Sequence, residues 1–295
     1  MILLYHMVFP DATPSDTWNA GLVLRFKDFK RQIKWLKRFY HIVSLDEYVN
    51  HFQTVGKPKA RLAALTFDDC YSRTFQLVSP FLNDNEIPAT FFANTLHLEQ
   101  NSLLWFVYFN ALCFEKVYPE LSIEGNRYPL STQKECRYAW QKLINIARSN
   151  KDAREFSLNF SQDYPLPPEI ITKYQGLSKE QLSQIGASHI LSLGGHTHSH
   201  PYLDQISITR QLVEISYNKE LLEVFSARPV DHFAYTGGVY NTDSIAAVKS
   251  AGFKSGFAIQ PRQLSNDKLF EIPRTDIYGA SLLKFLAKTY GIVHV

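Results

Sequence analysis

Leu62-Ala63-Ala64-Leu65-Thr66-Phe67 runs apolar and almost unbroken into Asp68-Asp69-Cys70, and an amphipathic stretch at 72–83 follows at once. A short apolar run closed by polar residues reads as a buried strand, and the periodic stretch after it as a helix. The same unit recurs outward in both directions. Strands are expected over 2–6, 89–93, 190–194, 232–235, 255–259 and 269–272, with a further short one near 41–44. Helical patterns fall between them at 26–39, 46–52, 208–225 and 243–250. Strand–helix alternation implies a parallel sheet or barrel. With seven or eight such units, a closed or partly closed α/β barrel is favoured over an open doubly wound sheet. No G-x-G-x-x-G or phosphate loop follows any of these strands, which argues against nucleotide binding.

One stretch breaks the rhythm. From about 96 to 176 the chain is aromatic-rich and mostly helical in pattern, and Tyr164-Pro165-Leu166-Pro167-Pro168 stands near its end. It is too long for a simple strand-to-helix connection. It reads as an insertion on the barrel, either a lid or part of a substrate wall.

Hydrophobic residues at 45% and charged residues at 20% exclude wholesale disorder. A net charge of +3 is too small to argue for nucleic acid. The basic run Lys27, Lys30, Arg31, Lys34, Lys37 and Arg38 alternates with Phe26, Phe29, Ile33 and Leu36 at helical spacing, so it reads as a solvated helix face. Cys70, Cys113 and Cys136 are odd in number and lack C-x-x-C spacing, which excludes a disulfide framework or a cysteine-rich zinc site. The start, Met1 to His6, carries no basic flank and only a short apolar run, and the most apolar stretch, 103–114, is broken by Asn110. Neither a secretory signal nor a membrane span is therefore expected. As written the protein is expected in the cytoplasm, or in the periplasm or outside the cell if the chain has been trimmed.

Two segments carry candidate chemistry. Asp68-Asp69 stands at a strand end, where barrel enzymes keep catalytic groups, and two adjacent carboxylates are costly to desolvate without a cation or a proton. One Asp on a metal with its neighbour as a base would explain the pair. An Asp capping the next helix beside a solvated neighbour would also explain it. Gly194-Gly195-His196-Thr197-His198-Ser199-His200-Pro201 follows another strand expectation, and the glycines give backbone freedom to turn imidazoles inward. His196 and His200 are four apart, the spacing that puts two ligands on one face of a helical turn. Two imidazoles and one carboxylate leave coordination positions open, as a catalytic metal site requires. His198 falls on the opposite side of such a turn and is expected at the surface or behind the ligands. The alternative is a polar turn with a solvent-exposed histidine cluster.

These motifs occur in a telling order. Thr66-Phe67-Asp68-Asp69, His196-Thr197-x-Ser199-His200-Pro201 and Phe233-Ala234-Tyr235-Thr236-Gly237-Gly238-x-Tyr240-Asn241 are arranged as in the polysaccharide deacetylases, carbohydrate esterase family 4 with its NodB-homology domain. Leu4-Tyr5-His6, the stretch 29–49 and Ile272-Pro273-Arg274-Thr275-Asp276 are most similar to the bacterial poly-N-acetylglucosamine deacetylase branch. The resemblance covers most of the chain except the insertion. It implies a partly open (β/α)7 barrel, with 1–295 as one catalytic domain interrupted at about 96–176. It implies one divalent metal, zinc by first expectation with nickel or cobalt as substitutes, held by Asp69, His196 and His200. Asp68 is then the base. His6 is the general acid that protonates the leaving nitrogen, and the backbone N–H of Gly237 receives the oxyanion. The implied reaction removes acetyl from N-acetylated amino sugars of a polymeric, oligomeric or carrier-linked saccharide. No nucleic-acid partner follows, and the oligomeric state is left open. An O-acetyl esterase on the same scaffold, or a non-catalytic carbohydrate-binding paralogue, are the rival readings.

The chain departs from the family twice. Cys70 stands where the family has Gly, and a Cys tolerates most backbone conformations but not a strained left-handed one. Thr236-Gly237 replaces Pro-Tyr of the third motif, which removes one rigid turn and one sugar-facing ring while leaving a backbone donor. Arg274 and Asp276 alternate on one expected strand and so share a face. From there Arg274 can steady Asp68 and Asp276 can orient His6, unless they are a surface ion pair. His294 is the rival acid.

Overall fold

Eight short parallel strands make a nearly closed barrel. They are β1 (Ile2–Tyr5), β2 (Leu62–Asp68), β3 (Ala89–Ala93), β4 (Leu191–Gly195), β5 (His232–Ala234), β6 (Ser255–Ala258), β7 (Ile272–Pro273) and β8 (Thr275–Asp276), ordered β7-β6-β5-β4-β3-β2-β1-β8. The computed structural model describes residues 1–12, 23–55, 61–99, 103–150, 152–277 and 281–289. The last two strands are halves of one segment around Arg274. Ile272 pairs with Phe257 of β6, and Thr275 pairs with Leu3 of β1, so this segment closes the ring. The strand expected at 269–272 is therefore displaced. Lys268–Phe270 coils into a short 3-10 turn, started by Asp267, whose Oδ1 accepts from the Leu269 N–H at 3.2 Å. The strand begins only after it. His41–Ile42 adds a two-residue strand to the edge of β2.

In chain order the helices are α1 (Phe26–Phe39), α2 (Leu45–Val55), α3 (Ser72–Asp84), α4 (Trp105–Phe114), α5 (Gln133–Ser149), α6 (Ala153–Asp163), α7 (Pro168–Tyr174), α8 (Lys179–Ala187), α9 (Ile208–Ser226), α10 (Thr242–Ser250) and α11 (Leu282–Thr289). Alternation along the strands sorts their side chains. Leu65, Phe67, Phe91, Leu193 and Phe233 meet Phe29, Ile33, Val78, Leu82 and Ile215 of the surrounding helices in the main core. The opposite parity, Ile2, Ala64, Phe92, Ala234, Phe257 and Ile272, forms a smaller cluster, which Val43 and, from the start of α2, Leu45 and Val49 join. Burying each large apolar side chain of this kind contributes about 1.5–3 kcal/mol.

Between β3 and β4 the chain leaves the barrel for α4 to α7 and a hairpin, Glu120–Ile123 paired with Asn126–Pro129. The hairpin turns at Glu124 and Gly125, both at positive φ, the backbone a two-residue turn between twisted strands demands. This hairpin was not expected from the sequence. The excursion has its own aromatic core, with Trp105, Phe109, Leu121, Cys136 and Leu143, and it draws in Met7, Phe9 and Tyr71 from the end of the barrel. It is thereby seated on the rim where β1 and β2 finish.

Candidate active site

β2 ends on Asp68 and the chain then turns sharply: Asp69 and Cys70 both sit in the left-handed region, at φ 61° and 50°. Cys70 thus holds the backbone that its side chain disfavours, at a cost of roughly 1–2 kcal/mol. Its thiol is buried and donates to the Phe67 carbonyl at 3.4 Å. Burial, reinforced by the Asp68 and Asp69 carboxylates, pushes that thiol well above its ordinary pKa, so it stays protonated. A second left-handed turn follows β4, with Thr197 at φ 62° and His200 at φ 57°. Residues 196–200 form no helical turn. The i, i+4 relation of His196 and His200 is made by this kinked loop instead. Non-glycine residues at positive φ cluster where surrounding structure over-determines the backbone, commonly at functional sites.

Gly194 and Gly195 serve a different purpose from the one expected. Both lie in β4, and a Cβ on Gly194 would come within 2.3 Å of the Phe92 ring, while one on Gly195 would meet Phe253 at 2.6 Å. They are needed for close approach and not for turning.

The two turns bring Asp69, His196 and His200 together. One ligand atom from each lies within 4.8 Å of the others, and all three residues are buried. Asp69 Oδ1 is 3.6 Å from His196 Nε2 and 3.5 Å from His200 Nε2, too far for good hydrogen bonds. That oxygen is buried with no hydrogen-bond partner among the described residues. His196 Nδ1 lies 2.7 Å from the Ala234 carbonyl, so Nδ1 carries the proton and Nε2 presents its lone pair to the cluster. An orphaned carboxylate oxygen facing two imidazole nitrogens suits a divalent cation with mixed N and O donors. The residues fit such an ion.

The electrostatics agree. Burial would raise the Asp69 pKa, but the adjacent His196, His200 and His6 imidazoles outweigh it and bring the group down to about 2. Burial drives His200 down to about 4. For His196 burial acts the same way, yet the Asp68 and Asp69 carboxylates win and its pKa is raised. Asp68 is buried and grasped by Arg274 in two parallel bonds, Nη1 to Oδ1 at 2.7 Å and Nη2 to Oδ2 at 2.6 Å. That guanidinium overcomes the burial penalty and holds Asp68 below the usual carboxylate range. Arg274 is itself buried, donates to Thr66 Oγ1 at 3.2 Å and lies 5.0 Å over the Phe92 ring.

His6 follows β1, half-buried, and its charge depresses both carboxylates, so it stands beside the pair. Gly237 lies in the turn Thr236–Gly238 after β5, at φ 59°, and the Thr236 hydroxyl donates to the Pro201 carbonyl at 2.6 Å. That bond ties the turn to the loop carrying His200. Asp276 accepts from Lys288 Nζ at 3.0 Å. His198, expected at the surface or behind the ligands, is buried, with Nδ1 3.0 Å from Thr95 Oγ1 and Nε2 3.1 Å from Glu99. His294 lies outside the described residues.

Several supporting residues escaped the sequence reading. The Asn218 side chain, buried on α9, accepts from the His196 N–H at 3.0 Å and donates to the Ala93 carbonyl at 2.9 Å. Asn94 Nδ2 donates to the carbonyls of His196 and Thr197. From α4, the Trp105 indole N–H donates to the His200 carbonyl at 2.9 Å, and the Phe106 ring lies 4.7 Å from the His200 imidazole. An Asn in the middle of an otherwise helical pattern is the one signal in the sequence that marks Asn218.

Residues 55–256 match the family profile described as polysaccharide deacetylase. The chain belongs to the polysaccharide deacetylase family. Among solved structures it is similar to the Streptococcus pyogenes deacetylase PplD in complex with acetate. That likeness has 18% identity and a TM-score of 0.63, over 98% of this chain and 96% of that one. IcaB from Ammonifex degensii is also similar, at 15% identity and a TM-score of 0.61, over 98% of this chain and 95% of that one. At these identities the likeness speaks for the shared barrel. YxkH of Bacillus subtilis (strain 168), named as a polysaccharide deacetylase, is 26% identical over 92 residues, or 31% of this chain. The match spans 33% of that relative, about a third of its length. No helix among the chain's described residues is long and apolar enough to cross a membrane.

Proposed function

We propose that this deacetylase is metal-dependent and removes acetyl groups from N-acetylated amino sugars of a polymeric, oligomeric or carrier-linked saccharide. One observation carries the reading: the buried Oδ1 of Asp69, without a hydrogen-bond partner among the described residues, faces Nε2 of both His196 and His200 at 3.5–3.6 Å. Asp69, His196 and His200 would hold one divalent ion, zinc by preference with nickel or cobalt as substitutes. Bound there, such an ion supplies Lewis acidity and lowers the pKa of water toward about 7.

The chain's own groups then divide the proton work. Arg274 keeps Asp68 ionised and aimed. Each carboxylate oxygen retains a second lone pair beside the one Arg274 uses, so Asp68 can still take a proton from the attacking water. His6, near the carboxylate pair, delivers a proton to the sugar nitrogen as the C–N bond breaks. An amine needs that proton because its anion is a very poor leaving group. The Gly237 N–H is the proposed donor to the developing oxyanion. Arg274 steadies the base, and Asp276 is the proposed partner that orients His6.

The test is acetate release from matched N-acetylated and O-acetylated saccharides, with metal content measured on the same protein. Turnover of the amide with about one ion per chain is the expected result. Ester-only turnover would assign the chain to O-acetyl esterases. Stoichiometric sugar binding with neither turnover nor metal would make it a carbohydrate-binding paralogue.

A further inference from the structure

The two histidines of the cluster are held unequally. His196 is fixed at three points: its ring Nδ1 against the Ala234 carbonyl, its N–H on Asn218, and its carbonyl by Asn94. His200 Nδ1 is buried and, among the described residues, has no hydrogen-bond partner. Its backbone sits at φ 57°, where a non-glycine residue does not stay unless something holds it. Its N–H donates to Thr197 Oγ1 at 3.1 Å within the same loop, and further groups that hold it come from outside the barrel. Trp105, buried at the first turn of α4, spans 95 residues of sequence to donate its indole N–H to the His200 carbonyl at 2.9 Å. Phe106, next in the helix, lays its ring 4.7 Å from the imidazole. Trp105 also packs on Tyr202 at 5.5 Å, and the Arg148 Nε of α5 donates to the Tyr202 hydroxyl at 2.9 Å. The loop after His200 is thereby bound to two helices of the insertion.

We propose that Trp105 and Phe106 are positioning residues for His200, which makes the insertion a structural part of the ion site and not merely a wall beside it. This rests on the ion-site reading above. Trp105 fixes the left-handed backbone that turns the ring inward. Phe106 stands in for the hydrogen bond that usually orients a ligating imidazole. Without them the ring would sample several orientations, and the ion would lose a well-placed ligand.

The probe is Co²⁺ titrated into the metal-free full chain, read by its d–d absorption and by competition against a chelator. Wild-type protein should bind one Co²⁺, and His196→Ala should abolish that binding; absence of any wild-type site would overturn the ion-site reading itself. Given a wild-type site, Trp105→Phe keeps a ring but removes the N–H. Phe106→Leu keeps apolar bulk but removes the flat face. Each should weaken Co²⁺ binding about tenfold, the effect expected of a ligand's orienting partner, and should shift the d–d bands. Trp140→Phe, on α5 of the same insertion but away from His200, should change neither. Unaltered affinity and spectrum in Phe106→Leu, with Trp105→Phe either folded and equally silent or unfolded, would overturn the proposal. So would an equal loss in Trp140→Phe, which would mean that any loosening of the insertion has the same effect.

Discussion

The barrel side of the site and the insertion side are built by different forces. On the barrel side hydrogen bonds from the strands and from α9 fix the groups: Asp68 by Arg274, His196 by Ala234 and Asn218, Thr66 by the Leu3 carbonyl. On the insertion side, a single indole N–H and a stack of rings meet His200, and the rest is aromatic packing within a separate core. Strand ends fix backbone direction rigidly, which suits groups whose proton and charge placement must be exact to a fraction of an ångström. Aromatic packing is less directional, and it can change in shape between relatives without disturbing the carboxylates. The division matches the sequence: the family motifs lie on the barrel, and the resemblance lapses over the insertion.

The sharpest way to break this comparison is to remove groups from the barrel side. Asp69→Ala or His196→Ala should lose the bound ion and turnover together, measured as metal content and acetate release on the same sample. Retention of a full complement of metal in a His196→Ala/His200→Ala double variant would overturn the ligand assignment. Metal uptake by wild-type protein should also weaken as pH falls through the raised His196 pKa, because the ion must then displace a proton.

Next in size are the proton-handling groups. Asp68→Asn should keep its metal and lose turnover on the order of 10²-fold or more. Loss of the metal instead would exchange the roles of Asp68 and Asp69. His6→Ala should leave metal affinity nearly intact and damage amide cleavage more than cleavage of an activated acetyl ester, whose leaving group depends less on a proton. Equal loss on both substrates would remove His6 from the acid role.

Arg274→Met tests the barrel side as structure. It leaves Asp68 buried without its cation, which should destabilise the protein by about 3–5 kcal/mol, read by denaturant unfolding of the metal-free form. The pH dependence gives the sign. Arg274 holds the folded Asp68 pKa below its unfolded value, so this stabilisation is present above the ordinary carboxylate range and lost as pH falls through the folded value. The gap between wild type and Arg274→Met should therefore be widest near neutral pH and narrow in acid. A gap that does not change with pH would point to lost packing on Phe92 and Thr66 instead of lost charge pairing.

Much of the barrel was legible because strand and helix periods differ, and because Asp68, His196 and Arg274 stand at the ends of strands that apolar runs announce. The local backbone was not. Nothing in the sequence shows Asp69, Cys70, Thr197 and His200 at positive φ, since few residues other than glycine occupy that region and long-range contacts decide which do. Helical i, i+4 reasoning picked out the two histidines that the fold brings beside Asp69, but by the wrong geometry. The strand at 269–272 was misplaced because Leu269 and Phe270 are apolar for another reason: they pack under the barrel as a capped turn. The roles of Trp105 and Asn218 depend on contacts 95 and 22 residues away, which a single sequence does not reveal.

The smallest effects separate the two sides most cleanly, because both regions contain a glycine that is needed, each for a different reason. Gly194 in β4 has ordinary strand dihedrals, but a Cβ there would lie 2.3 Å from the Phe92 ring. Phe92 touches Phe257 and carries the Arg274 guanidinium on its face, so it has little room to yield. Gly194→Ala should therefore cost about 1–3 kcal/mol by overpacking, and a second substitution that shrinks the neighbour, Phe92→Leu, should recover part of it. Gly125 in the insertion's hairpin is the reverse case, with φ +76° and nothing within 4 Å of an added Cβ. Gly125→Ala should cost about 1 kcal/mol, from backbone strain alone. No neighbouring substitution should rescue it, while Gly125→Asn, a residue that tolerates left-handed backbone, should restore most of the loss. Urea unfolding of the five proteins decides the matter. Rescue of Gly194→Ala by Phe92→Leu together with rescue of Gly125→Asn relative to Ala would support a barrel side limited by packing and a hairpin limited by dihedral angle. If Gly194→Ala is silent, the closeness of β4 to Phe92 is not a constraint, and the two glycines do not differ in the way the geometry requires.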